Sequence, residues 1–222
     1  MITMTRDVNE DLKAVMDRDP AVRDEIDAKW FSQGYHAIRI YRRSHELWTK
    51  GKYRRARFLN YLGHILTGAD IHPGAIIGKG VFIDHAVGVV IGETTIIGDN
   101  VCIYQGVTLG GVSSEKGKRH PTIEDNVVIG ADATILGNIT IGHNTRIGAG
   151  SVVLKDVPPN STVVGVPGKV IKREGIRVDD VLRHDDLPDP VKDTLQDFAE
   201  KIEKLWKRME ELESELGSEK QR

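Results

Sequence analysis

Aliphatic residues recur every six positions through the middle of the chain: Ile71, Ile77 and Ile83, then Ile91, Ile97, Ile103 and Leu109, then Ile123, Ile129, Ile135, Ile141, Ile147 and Val153. The frame slips twice, between Ile83 and Ile91 and between Leu109 and Ile123. A period of six is incompatible with an amphipathic helix, whose apolar positions fall three and four apart. It leaves room for one short strand and one turn, so the chain has to coil. Three flat sides of six residues close a triangular coil of eighteen, and coils stacked about 4.8 Å apart give parallel strands around an inward column of aliphatics. Glycine follows the aliphatic in seven of the thirteen slots (Gly78, Gly92, Gly98, Gly110, Gly130, Gly142 and Gly148). At these corners it is expected to supply backbone freedom. The fifth place is small or β-branched, as at Ala75, Val81, Val101, Ala133 and Ser151.

This pattern resembles the left-handed parallel β-helix of hexapeptide-repeat proteins, and the left hand comes from that resemblance, since spacing alone does not fix it. Composition divides the rest. Of 23 glycines, 19 lie between Gly63 and Gly168, whereas only Phe82 and Tyr104 of the 12 aromatic residues do. The segment before the repeats carries aromatics among charges, with apolar groups at helical spacings such as Ile38, Tyr41 and Leu59, Leu62, Ile65, which mark a small helical domain. Three parts follow: an N-terminal helical domain at 1–66, the β-helix at 67–175, and a linker with a C-terminal helix at 176–222. Leu187-Pro188-Asp189-Pro190 marks the start of that last helix.

A net charge of -2 from 31 Lys+Arg and 33 Asp+Glu gives no field that would draw nucleic acid or anionic lipid. The single cysteine, Cys102, makes no internal disulfide, and the first residues open no apolar run of signal or membrane-spanning length. A chain in a reducing cytoplasm, with neither nucleic acid nor membrane as a partner, is expected.

Extra residues in a solenoid leave it as loops, and loops commonly carry the site. The first slip holds Asp84-His85-Ala86-Val87-Gly88; the second holds Gly110 to Pro121, including Lys116, Lys118, Arg119 and His120. A turn histidine alone says little. Asp70, fifteen residues before His85, lies one coil short by three, an offset small enough to bring its carboxylate under the imidazole and fix the tautomer of a general base.

With these residues in view the chain resembles the serine O-acetyltransferases, hexapeptide-repeat enzymes that open cysteine biosynthesis. The likeness runs from Asp17-Arg18-Asp19-Pro20-Ala21 through Gly34-Tyr35-His36-Ala37, Ala69-Asp70-Ile71-His72-Pro73, Asp84-His85, Gly92-Glu93-Thr94, Val107-Thr108-Leu109-Gly110-Gly111 and Arg119-His120-Pro121 to Gly165-Val166-Pro167. It implies acetyl transfer from acetyl-CoA to the hydroxyl of L-serine, with His85 as general base and Asp70 as its support. It implies that Arg119 and His120 receive the serine carboxylate, while Asp19 and Asp84 receive the ammonium. For acetyl-CoA it implies Gly110, Gly111, Ala131 and Ala149 as lining, with Lys169 near the phosphate end. It also implies feedback inhibition by L-cysteine and a site between neighbouring subunits of a homotrimer; the short segment before Asp19 leaves pairing of trimers into hexamers open. No metal is expected. A zinc lyase on the same fold would draw on His64, His72, His85, His120 and His143, but Asp84-His85 and Arg119-His120 suit an amino-acid site better. A purely scaffolding solenoid gives no reason for the Asp70/His85 pair. Another hydroxyl acceptor, homoserine or a sugar, is the nearest alternative.

The tail repeats Val191, Leu195, Phe198, Ile202, Leu205, Met209, Leu212 and Leu216 at alternating spacings of four and three, a heptad seam. A short parallel coiled coil on the trimer axis is expected, against the alternative of one helix laid back on its own β-helix. Relatives that dock O-acetylserine sulfhydrylase do so through a terminal isoleucine; this chain ends Glu219-Lys220-Gln221-Arg222. Such docking is not expected.

Overall fold

A computed structural model describes residues 2–172, 198–199, 201–206 and 209. The chain forms two compact units, Met1–Leu187 and Pro188–Arg222. In the second, the described residues are helical, and Phe198, Ile202, Leu205 and Met209 of the seam are exposed. The seam's other positions lie outside the described residues. Among the described residues no helix is long and apolar enough to cross a membrane.

The first unit opens with four helices, α1 (Ile2–Arg18), α2 (Glu25–Phe31), α3 (Gln33–Thr49) and α4 (Tyr53–Thr67). Asp24 and Ser32 cap α2 and α3 by accepting from the amides of Asp27 and Tyr35. Fifteen short strands follow among the described residues, numbered in chain order, and three sheets form because each strand from β1 to β10 pairs with the third one along, with β12 pairing with β14. The first sheet holds β1 (Asp70–Ile71), β4 (Val90–Ile91), β7 (Thr108–Gly110), β10 (Thr134–Leu136) and β13 (Val152–Val153). The second holds β2 (Ile76–Ile77), β5 (Ile96–Ile97), β8 (Thr122–Ile123) and β11 (Thr140–Ile141). The third holds β3 (Phe82–Ile83), β6 (Cys102–Ile103), β9 (Val128–Ile129), β12 (Arg146–Ile147), β14 (Ser161–Val164) and an antiparallel return strand, β15 (Lys169–Lys172). All thirteen repeat aliphatics are buried, as are Ala75, Val81, Val101, Ala133 and Ser151. A three-sided parallel coil around an isoleucine ladder is therefore what the six-residue period builds.

One expectation needs correction. The repeat glycines do not supply left-handed backbone; that conformation falls instead at residues such as Asn100, Asn126 and Asn144, with φ near 58°. Their role is closeness between coils. A Cβ at Gly130 would lie 2.6 Å from the nitrogen of Ala149, and one at Gly142 would lie 2.4 Å from the nitrogen of Pro159. On α4, Leu62 and Ile65 face outward while Ala56, Asn60, Gly63 and Thr67 are buried. Small and polar residues hold the inner face because α4 packs tightly: a Cβ at Gly63 would come within 2.9 Å of Ile40.

The helices close the open end of the coil. Amides of the first turn donate upward to the second, as in His72 to Ile91 and Gly78 to Ile97, so carbonyls of the first turn have no strand below them. Side chains supply the donors: Asn60 to Ile71 at 3.1 Å, Tyr41 to Ala75 at 2.7 Å and Arg42 to Ile77 at 2.6 Å, with His45 bonded to Pro73 at 2.8 Å. Buried Asp11 pairs with Arg42 at 3.0 Å and accepts the amide of Val81. Gly34, at the start of α3, leaves space for β3, where a Cβ would lie 1.7 Å from the carbonyl oxygen of Ile83. Gly34→Ala is therefore expected to lower unfolding stability by about 3 kcal/mol or more, since backbone must yield on both sides. Urea denaturation measures this; an unchanged midpoint would contradict the contact.

Candidate active site

The coil's corners sort the predicted site residues into two groups. At the corner from the third sheet to the first, β3 ends and Asp84-His85-Ala86-Val87-Gly88 leads into β4. His85 and Ala86 both sit in left-handed backbone, φ 58° and 59°, a conformation that costs a non-glycine residue roughly 1–3 kcal/mol. Local bonds enforce it: Ala86 donates to Asp84, Val87 to His85 and Gly88 to Gly68. The outcome is an imidazole held out from the corner, its side chain 74% exposed, with Nε2 3.6 Å from Asp84 Oδ1. Val87, Gln105, Ala131 and Ala149 stack on this corner in successive coils: the Val87 carbonyl accepts from Gly106, that of Gln105 from Asp132, and that of Ala131 from Gly150. At the top of the same corner, Lys169 is exposed and lies opposite Val164 in the β14–β15 register. Asp19 directly follows α1, which contacts β3; its Oδ1 accepts the amide of Ala21 at 2.9 Å.

The second group occupies the far end of the first sheet. Beyond β4 come Gly92, Glu93 and Thr94; beyond β7 comes the loop from Gly111 to His120. His120 is 8% exposed. The amide of Thr94 points at His120 Nδ1 at 3.3 Å, and the Thr94 hydroxyl lies 2.9 Å from the same nitrogen. That hydroxyl oxygen also accepts the amides of Arg119, at 3.0 Å, and His120, at 3.2 Å. With Nδ1 an acceptor, the ring proton sits on Nε2, leaving a neutral imidazole with one outward donor. Burial lowers the His120 pKa, and the charges of Arg119 and Lys118 lower it further. Arg119 reaches Glu93 at 2.7 Å, and this bond is the main reason the Glu93 carboxyl is held below its ordinary range. A Cβ at Gly92 would overlap the His120 ring at 1.9 Å, and one at Gly111 would stand 3.2 Å from His120 Nε2.

A cavity of about 780 Å³ opens beside this group, lined by Trp48, Arg57, Asp70, His72, Arg119 and His120 among others. His72 Nδ1 accepts the amide of Gly74 at 3.0 Å, and burial, with Arg57 second, lowers its pKa.

One expected pairing is not made. Asp70 Oδ1 accepts from Asn60 Nδ2 at 3.0 Å, and no ion pair within 4.0 Å joins Asp70 to His85 in one chain. The reason is register. The first slip lengthens that coil to 20 residues, so Asp70 lies opposite Val90 and His85 falls five short of it, along most of one side. Among the described residues no three His, Cys, Asp or Glu side chains gather to hold a metal ion.

A family model described as "Serine acetyltransferase, N-terminal" matches residues 2–40, and one described as "Bacterial transferase hexapeptide (six repeats)" matches residues 120–155. A protein named serine acetyltransferase from Bacillus pumilus is 50% identical over 198 residues, 89% of this chain and 91% of that one. The chain belongs to the serine acetyltransferase family. Another member, from Bacillus licheniformis, is 49% identical over 94% of this chain and 98% of its own. Solved serine acetyltransferases share the fold: that of Neisseria gonorrhoeae in complex with serine superposes with a TM-score of 0.74 at 49% identity, over 77% of this chain and 69% of that one. A serine acetyltransferase in complex with cysteine gives 0.75 at 44% identity, over 77% and 70%.

Among serine acetyltransferases the likeness assigns roles to Arg119 and His120 and none to the residues that hold them, Glu93, Thr94 and Lys118, although all three stand in the quoted motifs and loop. A signal was present. Both Glu93–Arg119 and Thr94–His120 are separated by 26 residues, one coil of eighteen plus the eight inserted at the second slip.

Proposed function

We propose that the chain transfers the acetyl group of acetyl-CoA to the hydroxyl oxygen of L-serine. The observation that carries this is the split of charge between two corners. Arg119 and the Nε2–H of His120 offer cationic and neutral donors to a carboxylate, while Asp84 beside His85, with Asp19 at the end of the helix that contacts β3, is assigned to an ammonium. A zwitterionic amino acid meets both sets only if they face each other. Because they lie at opposite ends of one sheet, a second copy has to supply one set, as in a homotrimer of left-handed coils.

In that arrangement His85 takes the proton from the serine hydroxyl as its oxygen attacks the thioester carbonyl. The new C–O bond forms, the C–S bond breaks, and the proton passes to the departing thiolate. Asp70 lines the cavity beside Arg119 and His120, so a neighbour's His85 entering there would meet its carboxylate. The arm of acetyl-CoA runs along the His85 corner past Ala131 and Ala149 toward Lys169 on the return strand, five strand steps or about 24 Å from Val87. Gly110 and Gly111, on the opposite corner, leave room for its thioester end. L-cysteine, differing from serine by sulfur for oxygen, competes for the same acceptor site.

The test is thiol release from acetyl-CoA with L-serine, beside L-homoserine, a sugar and no acceptor. Serine-dependent release, inhibited by L-cysteine competitively with serine, is expected. Release that favours another acceptor, or none above the acceptor-free rate, would refute the assignment.

A further inference from the structure

The loop from Gly111 to His120 is eight residues longer than the repeat requires, and one of its cations is not a solvated loop charge. Lys118 Nζ donates to the carbonyl of Thr94 at 2.8 Å, to that of His120 at 2.6 Å and to that of Pro121 at 3.1 Å. Its three protons are thereby spent on three carbonyls, and burial lowers its pKa. The ammonium therefore has no proton left for a ligand. Its partners are informative: two of the carbonyls belong to His120 and to the residue after it, and the third belongs to Thr94, whose hydroxyl already grips the amides of Arg119 and His120. Thr94 thus holds this turn by its amides, and Lys118 holds it by its carbonyls.

We propose that Lys118 is a positioning residue for the acceptor site: its ammonium fixes the turn from which Arg119 and His120 reach the amino-acid carboxylate. The inference rests on the acetyl-transfer reading, and its consequence is specific. Losing the hub leaves the coil and the His85 corner intact but frees two carboxylate-binding side chains, so acceptor binding suffers while donor binding does not. A displacement of about 1 Å at such a site is worth up to roughly 10²-fold.

The test replaces Lys118 with cysteine and then restores an ammonium at the same distance by alkylation with 2-bromoethylamine. Cys102 does not compete, being fully buried with its thiol pushed up to about 12. For Lys118→Cys, and for Lys118→Met, which keeps the aliphatic stem, the KM for serine is expected to rise roughly 10- to 100-fold. The KM for acetyl-CoA and the thermal midpoint should stay near wild type, and aminoethylation of the cysteine variant should return the serine KM to within about threefold of it. An unchanged serine KM would overturn the proposal. So would a rise in both KM values with a lowered midpoint, or failure of rescue when mass spectrometry shows complete modification. Wild-type protein that does not acetylate serine would instead refute the acetyl-transfer reading, leaving the two failures distinct.

Discussion

Replacing His85 with alanine is expected to lower turnover at least 10²-fold, the usual cost of a lost general base, with acetyl-CoA binding by equilibrium dialysis near wild type. The two readouts separate because the imidazole stands out from its corner while the small residues stacked above it, Ala131 and Ala149, belong to other coils. Stability should change little, since the side chain is 74% exposed and alanine already occupies the same left-handed conformation next door at Ala86. Asp70→Asn should also slow turnover, because an amide does not stabilise an imidazolium. The sharper version mixes two inactive proteins. If His85 of one copy works with Arg119 of another, oligomers reassembled from equal amounts of His85→Ala and Arg119→Ala chains recover about a quarter of the sites. Turnover of the His85 variant close to wild type would end the mechanism. A mixture that stays inactive would place both groups of each site on one chain.

The coil was legible because its cause is local: every buried isoleucine announces its own slot, and thirteen slots give the register nearly everywhere. What spacing did not reveal was the purpose of the glycines following those isoleucines. A residue missing its side chain for dihedral freedom and one missing it for closeness between coils look alike in a sequence, and only the approach of Gly130 to Ala149 tells them apart. The outward face of α4 was unreadable for a related reason. Apolar periodicity marks a helix face to be covered without saying by what, and here Asn60 took the inner side because the Ile71 carbonyl of the first coil needs a donor there, while Thr67 bonds back to Gly63 of its own helix. In the site, the residues proposed to meet ligand are of distinctive types, which is why the sequence singles them out. Those that hold them, Thr94 and Lys118, act through backbone groups, and a threonine or lysine in a loop has no signature until the insertion is counted into the spacing.

Gly92 joins the two problems and yields the other large effect. Its Cβ, if present, would lie 1.9 Å from His120 Cδ2 and 2.0 Å from Nε2, so the ring rests on the glycine's bare Cα. A methyl there leaves the imidazole one response, to swing away. Swinging breaks its bond to the Thr94 hydroxyl and redirects the Nε2 proton that this bond fixes in place. The backbone itself has no objection, since Gly92 is not among the residues of positive φ and alanine accepts its conformation. Gly92→Ala is therefore expected to raise the serine KM by about 10²-fold with circular dichroism and thermal midpoint near those of the parent. Gly111→Ala is the control: its Cβ would meet Arg119 Cγ at 3.1 Å and His120 Nε2 at 3.2 Å, contacts relieved by shifts of a few tenths of an ångström. Its effect on serine should be under tenfold. If both alanine variants bind serine as the parent does, the His120 imidazole is not the group that holds the acceptor's carboxylate.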